Sequence, residues 1–81
     1  MVRVEFRPLA ALKRLLPEGD REKGKTTLMV APGTTADALM GLAGIDRGRA
    51  LMVLVNGRYA APGRALADGD VVSVFPPVAG G

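Results

Sequence analysis

The chain has 81 residues, of which 48% are hydrophobic and 23% charged, and its formal net charge is +3. This length suits one small folded domain. The sequence contains neither cysteine nor histidine, which excludes disulfides, thiol nucleophiles and the usual histidine-based catalytic and zinc sites. We therefore expect no bound cofactor and no metal site.

The basic residues are spread along the sequence, with one cluster in residues 21–25 that a glutamate interrupts. Three aromatic residues offer no platform for stacking bases. We expect a solvated surface and no nucleic-acid partner, with an acidic protein as the next alternative. Because no apolar run approaches membrane-spanning length and the first residues lack the layout of a signal peptide, we expect a cytoplasmic protein without a membrane partner.

The first part of the chain combines strand and helix patterns. Apolar and charged residues alternate over residues 2–7, which predicts a half-buried strand. Residues 8–17 begin and end with proline and carry leucines at helical spacing, which predicts a short helix with Pro8 in its first turn. Residues 18–25 predict an exposed loop, and residues 26–31 a second strand that forms a hairpin with the first.

The principal helix is predicted between residues 34 and 44. The Thr34-Thr35-Ala36-Asp37 segment has the form of a capped helix start. The expected apolar face of the helix consists of Ala38, Leu39, Leu42 and Ala43. Gly44 is placed to end the helix. We expect three methionines to fill gaps in the core: Met29, Met40 and Met52.

The remaining segments predict strands and turns. Residues 51–55 form a continuous apolar run that predicts a central strand, and the following Asn56-Gly57 pair favours a tight turn. A short return strand follows in residues 58–61. Asp68 and Asp70 are predicted as turn residues, before a last strand over residues 71–75.

This order of elements predicts an α+β fold with one mixed sheet, a principal helix and a short helix. A first hairpin, a crossing helix and a second pair of strands make a β-grasp, as in ubiquitin-like proteins, with the first and last strands parallel at the centre. We expect residues 1–76 to form this domain and residues 77–81 to be a flexible tail.

The tail is the main functional candidate. Its sequence together with the strand end is Phe75-Pro76-Pro77-Val78-Ala79-Gly80-Gly81. The prolines stop the strand because they cannot donate a ladder hydrogen bond. From Pro77 the tail could extend roughly 16 Å, at about 3.3 Å per residue. A frayed end is the simpler interpretation of a diglycine, but this arrangement favours a tail that enters another protein.

The chemistry of such a tail depends on its carboxyl group. A terminal carboxylate is ionised at neutral pH and is a poor electrophile, so reaction at Gly81 requires activation. Adenylation by ATP would supply a leaving group, after which a persulfide sulfur or an amine could attack the acyl carbon. Glycines suit a narrow channel because they lack a Cβ atom.

Two blocks of sequence carry a family resemblance. Both resemble the MoaD/ThiS family of ubiquitin-like sulfur carriers. The first block is the helix start at residues 32–39. The second is the C-terminal block, residues 66–72 and 74–81, which has the Phe-Pro-Pro-Val-x-Gly-Gly ending. Within that family the two prolines are more similar to the molybdopterin synthase small subunit than to the thiamine carrier. The resemblance implies a β-grasp fold and a carrier that is not an enzyme by itself.

The resemblance also implies partners and roles. A MoeB/ThiF-like adenylyltransferase would use ATP to adenylate Gly81, which would become a thiocarboxylate and donate its sulfur inside a MoaE-like large subunit of molybdopterin synthase. Phe75, Pro76 and Pro77 would lie at the partner interface. Val78, Ala79 and Gly80 would thread the partner's channel.

Two alternatives stay open. The first is a carrier for thiamine, tRNA or amino-acid sulfuration, or a ubiquitin-like protein modifier. The second is a β-grasp binding module whose tail does not react.

A competing motif lies in residues 19–26, which match the Walker A pattern letter for letter. A phosphate-binding loop follows a strand and opens a helix. Here a predicted helix precedes the motif and a predicted strand follows it, so we interpret the match as accidental.

Overall fold

The computed structural model describes residues 1–45, 52–61 and 63–76. Within these residues, five strands form a mixed sheet in the order β2-β1-β5-β3-β4, with β1 at Val2–Pro8, β2 at Thr26–Val30, β3 at Met52–Val55, β4 at Arg58–Tyr59 and β5 at Val71–Phe75. β1 and β5 are parallel, and the other neighbours are antiparallel. The predicted hairpin and the predicted parallel pair of first and last strands are confirmed, and β3 lies beside the central strand β5.

The predicted short helix differs from its expected form. It is a 3-10 helix over Ala10–Leu15, and a further 3-10 turn occupies Glu18–Asp20 within the predicted loop. Pro8 does not open the helix, because it is the last residue of β1 and pairs with Val74.

The geometry of β1 explains why proline is tolerated at position 8. The N–H groups of Glu5 and Leu9 point toward β5 and donate at 2.9 Å to the carbonyl oxygens of Asp70, the residue before β5, and of Val74 within it. Successive residues of a strand point their N–H groups to opposite edges, so the nitrogen of Pro8 faces β2, where pairing has ended at Phe6. The missing donor therefore costs no ladder hydrogen bond.

Helix α1 (Ala36–Leu42) is capped as predicted, with Thr35 Oγ1 accepting from the Ala38 N–H at 3.1 Å. Its buried stripe contains Ala36, Leu39 and Met40. The prediction that Ala38 and Leu42 lie on the buried face is wrong, since Ala38 is exposed and 72% of Leu42 is exposed. Leu42 lies outside the stripe that residues 36, 39, 40 and 43 form at helical spacing.

The core lies between α1 and one face of the sheet. Its most buried strand residues alternate along β1 and β5: Val4, Phe6, Val72 and Val74. Met40 is fully buried, as predicted, whereas Met29 and Met52 are 55% and 39% exposed. Those two core predictions are wrong. Met29 pairs with Arg3 and Met52 pairs with Phe75, and both methionines occupy positions that alternate with the core-facing ones, so their side chains point to the other face of the sheet.

None of the helices in the described residues is long and apolar enough to cross a membrane.

Candidate functional site at the end of the last strand

The last strand is firmly held up to the point where the chain leaves the sheet. β5 lies between β1 and β3, and Val72 and Val74 are completely buried. The Leu9 N–H donates to Val74 O at 2.9 Å, one residue before Phe75. Phe75 and Pro76 are both half-buried. The sheet thus fixes the point at which the chain leaves it, at Pro76.

The predicted tail lies outside the described residues. The roles of Pro77, Val78, Ala79, Gly80 and Gly81, and the boundary between domain and tail, therefore stay predictions.

Beside the strand end, the face of the sheet opposite α1 carries a group of apolar side chains. We call Met52, Leu54, Tyr59 and Phe75 the exit patch. Register places Phe75 opposite Met52 and Tyr59 opposite Leu54. The Tyr59 hydroxyl donates to Met52 Sδ at 3.4 Å. Met52 and Tyr59 are 39% and 78% exposed.

The composition of the exit patch is typical of a protein interface. Aromatic residues and methionine are enriched at interfaces because they bury large apolar areas. The patch contains no carboxylate, amine or thiol, and its one polar group, the Tyr59 hydroxyl, donates to Met52 Sδ, so the patch mainly offers contact area. The sequence pointed to Phe75 but placed Met52 in the core. Only the pairing of β3 with β5 brings these residues together, and strand register is a tertiary property.

A polar cluster anchors the beginning of β5. Asp70 is 6% exposed, and its Oδ2 accepts from the Ala67 N–H at 2.8 Å and from Arg64 Nη1 at 3.3 Å. Its Oδ1 accepts from Asn56 Nδ2 at 2.9 Å. Burial raises the pKa of Asp70, but the hydrogen bonds from Ala67, Asn56 and Arg64 and the charge of Arg64 outweigh it and hold the pKa below its usual value.

Asp68 also belongs to a turn, as predicted. Its Oδ1 accepts from the Arg3 N–H at 2.7 Å, and Gly69 donates its N–H to Arg3 O at 2.8 Å. The turn before β5 is thereby attached to the beginning of β1. Both aspartates support the strand that leads to the tail.

Residues 19–26 do not have the geometry of a phosphate-binding loop. A 3-10 turn starts at Glu18, and Thr26 is the first residue of β2, so no helix follows the motif. The Thr26 hydroxyl donates to Asp20 Oδ2 at 2.7 Å. The interpretation of the Walker A match as accidental is consistent with this arrangement.

In the part of the chain that the structure describes, no group of three or more histidine, cysteine, aspartate or glutamate side chains could hold a metal ion.

A family model described as "ThiS family" matches residues 14–81. The chain belongs to the ThiS family. The match includes the whole of α1, the strands of the exit patch and the tail sequence. A search of curated proteins finds no match.

Solved structures agree with membership of the ThiS family. A Pyrococcus furiosus protein provisionally named molybdopterin converting factor, subunit 1, is 25% identical, with a TM-score of 0.74 over 96% of this chain and 100% of its own. Small archaeal modifier protein 1 of Haloferax volcanii is 30% identical, with a TM-score of 0.69 over 98% of this chain and 99% of its own. The ubiquitin of Caldiarchaeum subterraneum is 17% identical, with a TM-score of 0.61 over 99% and 98% of the two chains, and shows the shared fold.

The fold is therefore the ubiquitin-like β-grasp that the sequence predicts. This ThiS-family chain is MoaD-like and falls in the class that comprises sulfur carriers and small archaeal modifiers.

Proposed function

We propose that this chain is a sulfur carrier that acts as the small subunit of molybdopterin synthase, donating sulfur from its C-terminal glycine in molybdenum cofactor biosynthesis. The observation that carries the proposal is the end of β5, where a central, buried strand delivers Pro76 beside the exposed exit patch. Membership of the ThiS family and the likeness to the Pyrococcus furiosus protein support it.

The proposed chemistry takes place at Gly81. The carboxylate attacks the α-phosphorus of ATP, pyrophosphate leaves, and an acyl adenylate forms. A persulfide sulfur then attacks the acyl carbon and displaces AMP, and a second thiol cleaves the sulfur–sulfur bond to leave a thiocarboxylate. An activating adenylyltransferase of the MoeB/ThiF type supplies the ATP site and the acid–base groups, so the carrier binds no cofactor itself.

The chain's own residues contribute docking. Phe75, Met52 and Tyr59 supply contact area, while Pro76 and Pro77 stiffen the exit. Small side chains from Val78 to Gly81 then enter a narrow channel in the partner. In the acceptor step that partner is a MoaE-like large subunit, which carries the catalytic groups.

Intact-mass measurement tests this proposal. The purified chain is incubated with ATP, its activating enzyme and a sulfur donor, and we expect a mass gain equal to the exchange of one oxygen for sulfur, located on Gly81 by fragmentation. A chain lacking Gly81 is the matched control and stays unmodified. An unmodified Gly81 in the complete reaction would overturn the carrier mechanism and favour a binding module whose tail does not react.

Protein modification is the second candidate, because the Haloferax volcanii small archaeal modifier protein 1 is 30% identical over nearly the whole chain. In that case an amine replaces the persulfide as nucleophile at the Gly81 acyl adenylate. A peptide with Gly81 joined to a lysine side chain by an isopeptide bond identifies this function. Release of molybdopterin by the thiocarboxylated chain and a large subunit separates molybdopterin synthesis from thiamine, tRNA or amino-acid sulfuration.

A further inference from the structure

A second apolar surface lies between α1 and β2, on the other side of the sheet from the exit patch. It is a groove of about 370 Å³. We call it the side groove. Its wall includes Leu15, Pro17, Leu28, Met29, Leu42 and Ala43. Leu15, Met29 and Leu42 are 37%, 55% and 72% exposed. Leu15 and Leu42 thus leave two large apolar side chains open to solvent beside the groove, whereas the register of Met29 with Arg3 turns its exposed side chain to the other face of the sheet.

The strand beside the side groove has an unprotected edge. β2 is the outermost strand of the sheet that the described residues form, and it pairs with β1 on its inner side. Its sequence, Thr-Thr-Leu-Met-Val, contains no proline and no charge. Exposed edge strands usually carry lysine, proline or a bulge that prevents pairing with another chain. The edge of β2 lacks these devices and can accept an additional strand.

Residues 21–25, directly before β2, have a net positive charge, although the acidic Glu18 and Asp20 precede them. Residues 21–25 contain Arg21, Lys23 and Lys25 against Glu22. Lys23 and Lys25 contact Asp20 and Glu5 at 3.8 and 3.6 Å, and their side chains stay 67% and 44% exposed. Exposed ion pairs of this kind are weak, so the lysines can turn to an additional carboxylate.

We propose that the side groove binds an extended segment of a partner protein, which adds to the edge of β2 and carries acidic residues next to its apolar run. Backbone hydrogen bonds to Thr26–Val30 would hold the segment, and every second side chain would enter the groove beside Leu42 and Ala43. The acidic residues would lie beside Lys23 and Lys25. A second copy of the chain is disfavoured because each copy has a net charge of +3.

This surface is independent of the tail chemistry. The exit patch lies on the sheet face opposite α1, whereas the side groove lies along the outer edge of β2. A carrier could therefore bind such a segment while its tail occupies another site. Disruption of the side groove is expected to leave modification of Gly81 unchanged.

Peptide titration followed by amide chemical shifts tests the proposal. The probes are two capped octapeptides, Val-Thr-Val-Ile-Val-Asp-Glu-Asp and Asp-Glu-Asp-Val-Thr-Val-Ile-Val, which place the acidic residues at opposite ends. We expect one of them to shift the amides of Thr26–Val30, Leu42 and Ala43. Replacing its three acidic residues by lysine should weaken binding roughly tenfold.

Matched variants locate the contact. Leu42→Gln should weaken the better peptide about fivefold or more, whereas Ala38→Gln, also exposed on α1 but outside the groove, should leave its affinity unchanged. Lys23→Gln should weaken binding of the better peptide two- to threefold and reduce the salt dependence of that binding. All three positions are exposed, so the variants should fold.

Three results would overturn the proposal. The β2 amides could stay unshifted with both peptides at millimolar concentration, or the shifts could centre on the exit patch. Alternatively, the β2 amides could shift on dilution of the chain alone, which would assign the groove to a second copy.

Discussion

Asn56 and Asp70 are joined by a side-chain hydrogen bond, in which Asn56 Nδ2 donates to Asp70 Oδ1 at 2.9 Å. The other side-chain atom of the same amide, Asn56 Oδ1, accepts from the Val71 N–H at 2.9 Å. Asn56 belongs to the turn between β3 and β4, and Val71 begins β5. One residue thus fastens the second hairpin to the strand that leads to the tail.

Asp70→Asn should destabilise the fold by about 1–3 kcal/mol. The substitution keeps the shape of the side chain but introduces an NH₂ group. Donors approach both carboxylate oxygens, from Asn56 on one side and from Ala67 and Arg64 on the other. In either orientation, the new NH₂ group therefore points at another hydrogen-bond donor. Urea unfolding measures the change, and equal stability of the two proteins would refute this role of Asp70.

The pH dependence of stability should identify the same carboxylate. The pKa of Asp70 is lowered in the folded protein, so its stabilising contribution is present above the unfolded-state pKa, about 3.9, and is lost as the pH falls through the folded-state value. The difference in Tm between the wild type and Asp70→Asn should therefore be constant near neutral pH and shrink in acid. A difference that is unchanged down to the acid transition would contradict the assignment.

Two glycine substitutions should change stability in opposite directions. Gly41 lies within α1 and a Cβ atom there meets no other atom within 4 Å, so Gly41→Ala should stabilise the fold by about 0.5–1 kcal/mol. Gly57 follows Asn56 in the β3–β4 turn, with φ values of 80° and 55°. Gly57→Ala should destabilise by about 1–2 kcal/mol because alanine is strained at positive φ. Thermal unfolding of both variants measures the contrast.

Tyr59→Ala should slow the carrier reaction without changing the fold. Tyr59 is 78% exposed, so its removal should alter the free energy of unfolding by less than about 0.5 kcal/mol. If the exit patch docks on the activating enzyme, loss of the aromatic contact should reduce the rate of Gly81 modification roughly fivefold at limiting enzyme. Leu42→Gln, in the side groove, serves as the control with an unchanged rate. If Tyr59→Ala and Leu42→Gln were modified at the same rate, the exit patch would not be part of the docking surface.

Nucleotide should not bind the isolated chain at residues 19–26. Thr26 starts a strand and its hydroxyl contacts Asp20, so no helix N-terminus converges on a phosphate. Addition of millimolar ATP with Mg²⁺ should leave the amide shifts of residues 19–26 unchanged, and Lys25→Ala should leave Gly81 modification intact. Saturable shifts in this loop would reverse our interpretation of the motif.

The local patterns of the sequence predicted most of the elements for reasons that act over a few residues. Alternation defined β1, a threonine placed three residues before the Ala38 N–H defined the start of α1, and Asn56-Gly57 defined a turn with positive φ at both residues. The sequence also placed the tail after a buried strand. The family resemblance rested on the helix start at residues 32–39 and on residues 66–72 and 74–81, and the match over residues 14–81 confirmed it.

The sequence by itself thus determined the type of most elements, whereas the chemistry that it predicts for the tail stays a prediction. Tertiary structure decided which apolar residues face solvent. Met29, Met52 and Leu42 are as hydrophobic as the core residues beside them, and their exposure follows from the side of the sheet or helix on which each lies. The exit patch and the side groove exist because α1 covers only one face of the sheet and β2 lies at its edge. Burial depends on contacts between distant segments, and those contacts form only when the strands pair.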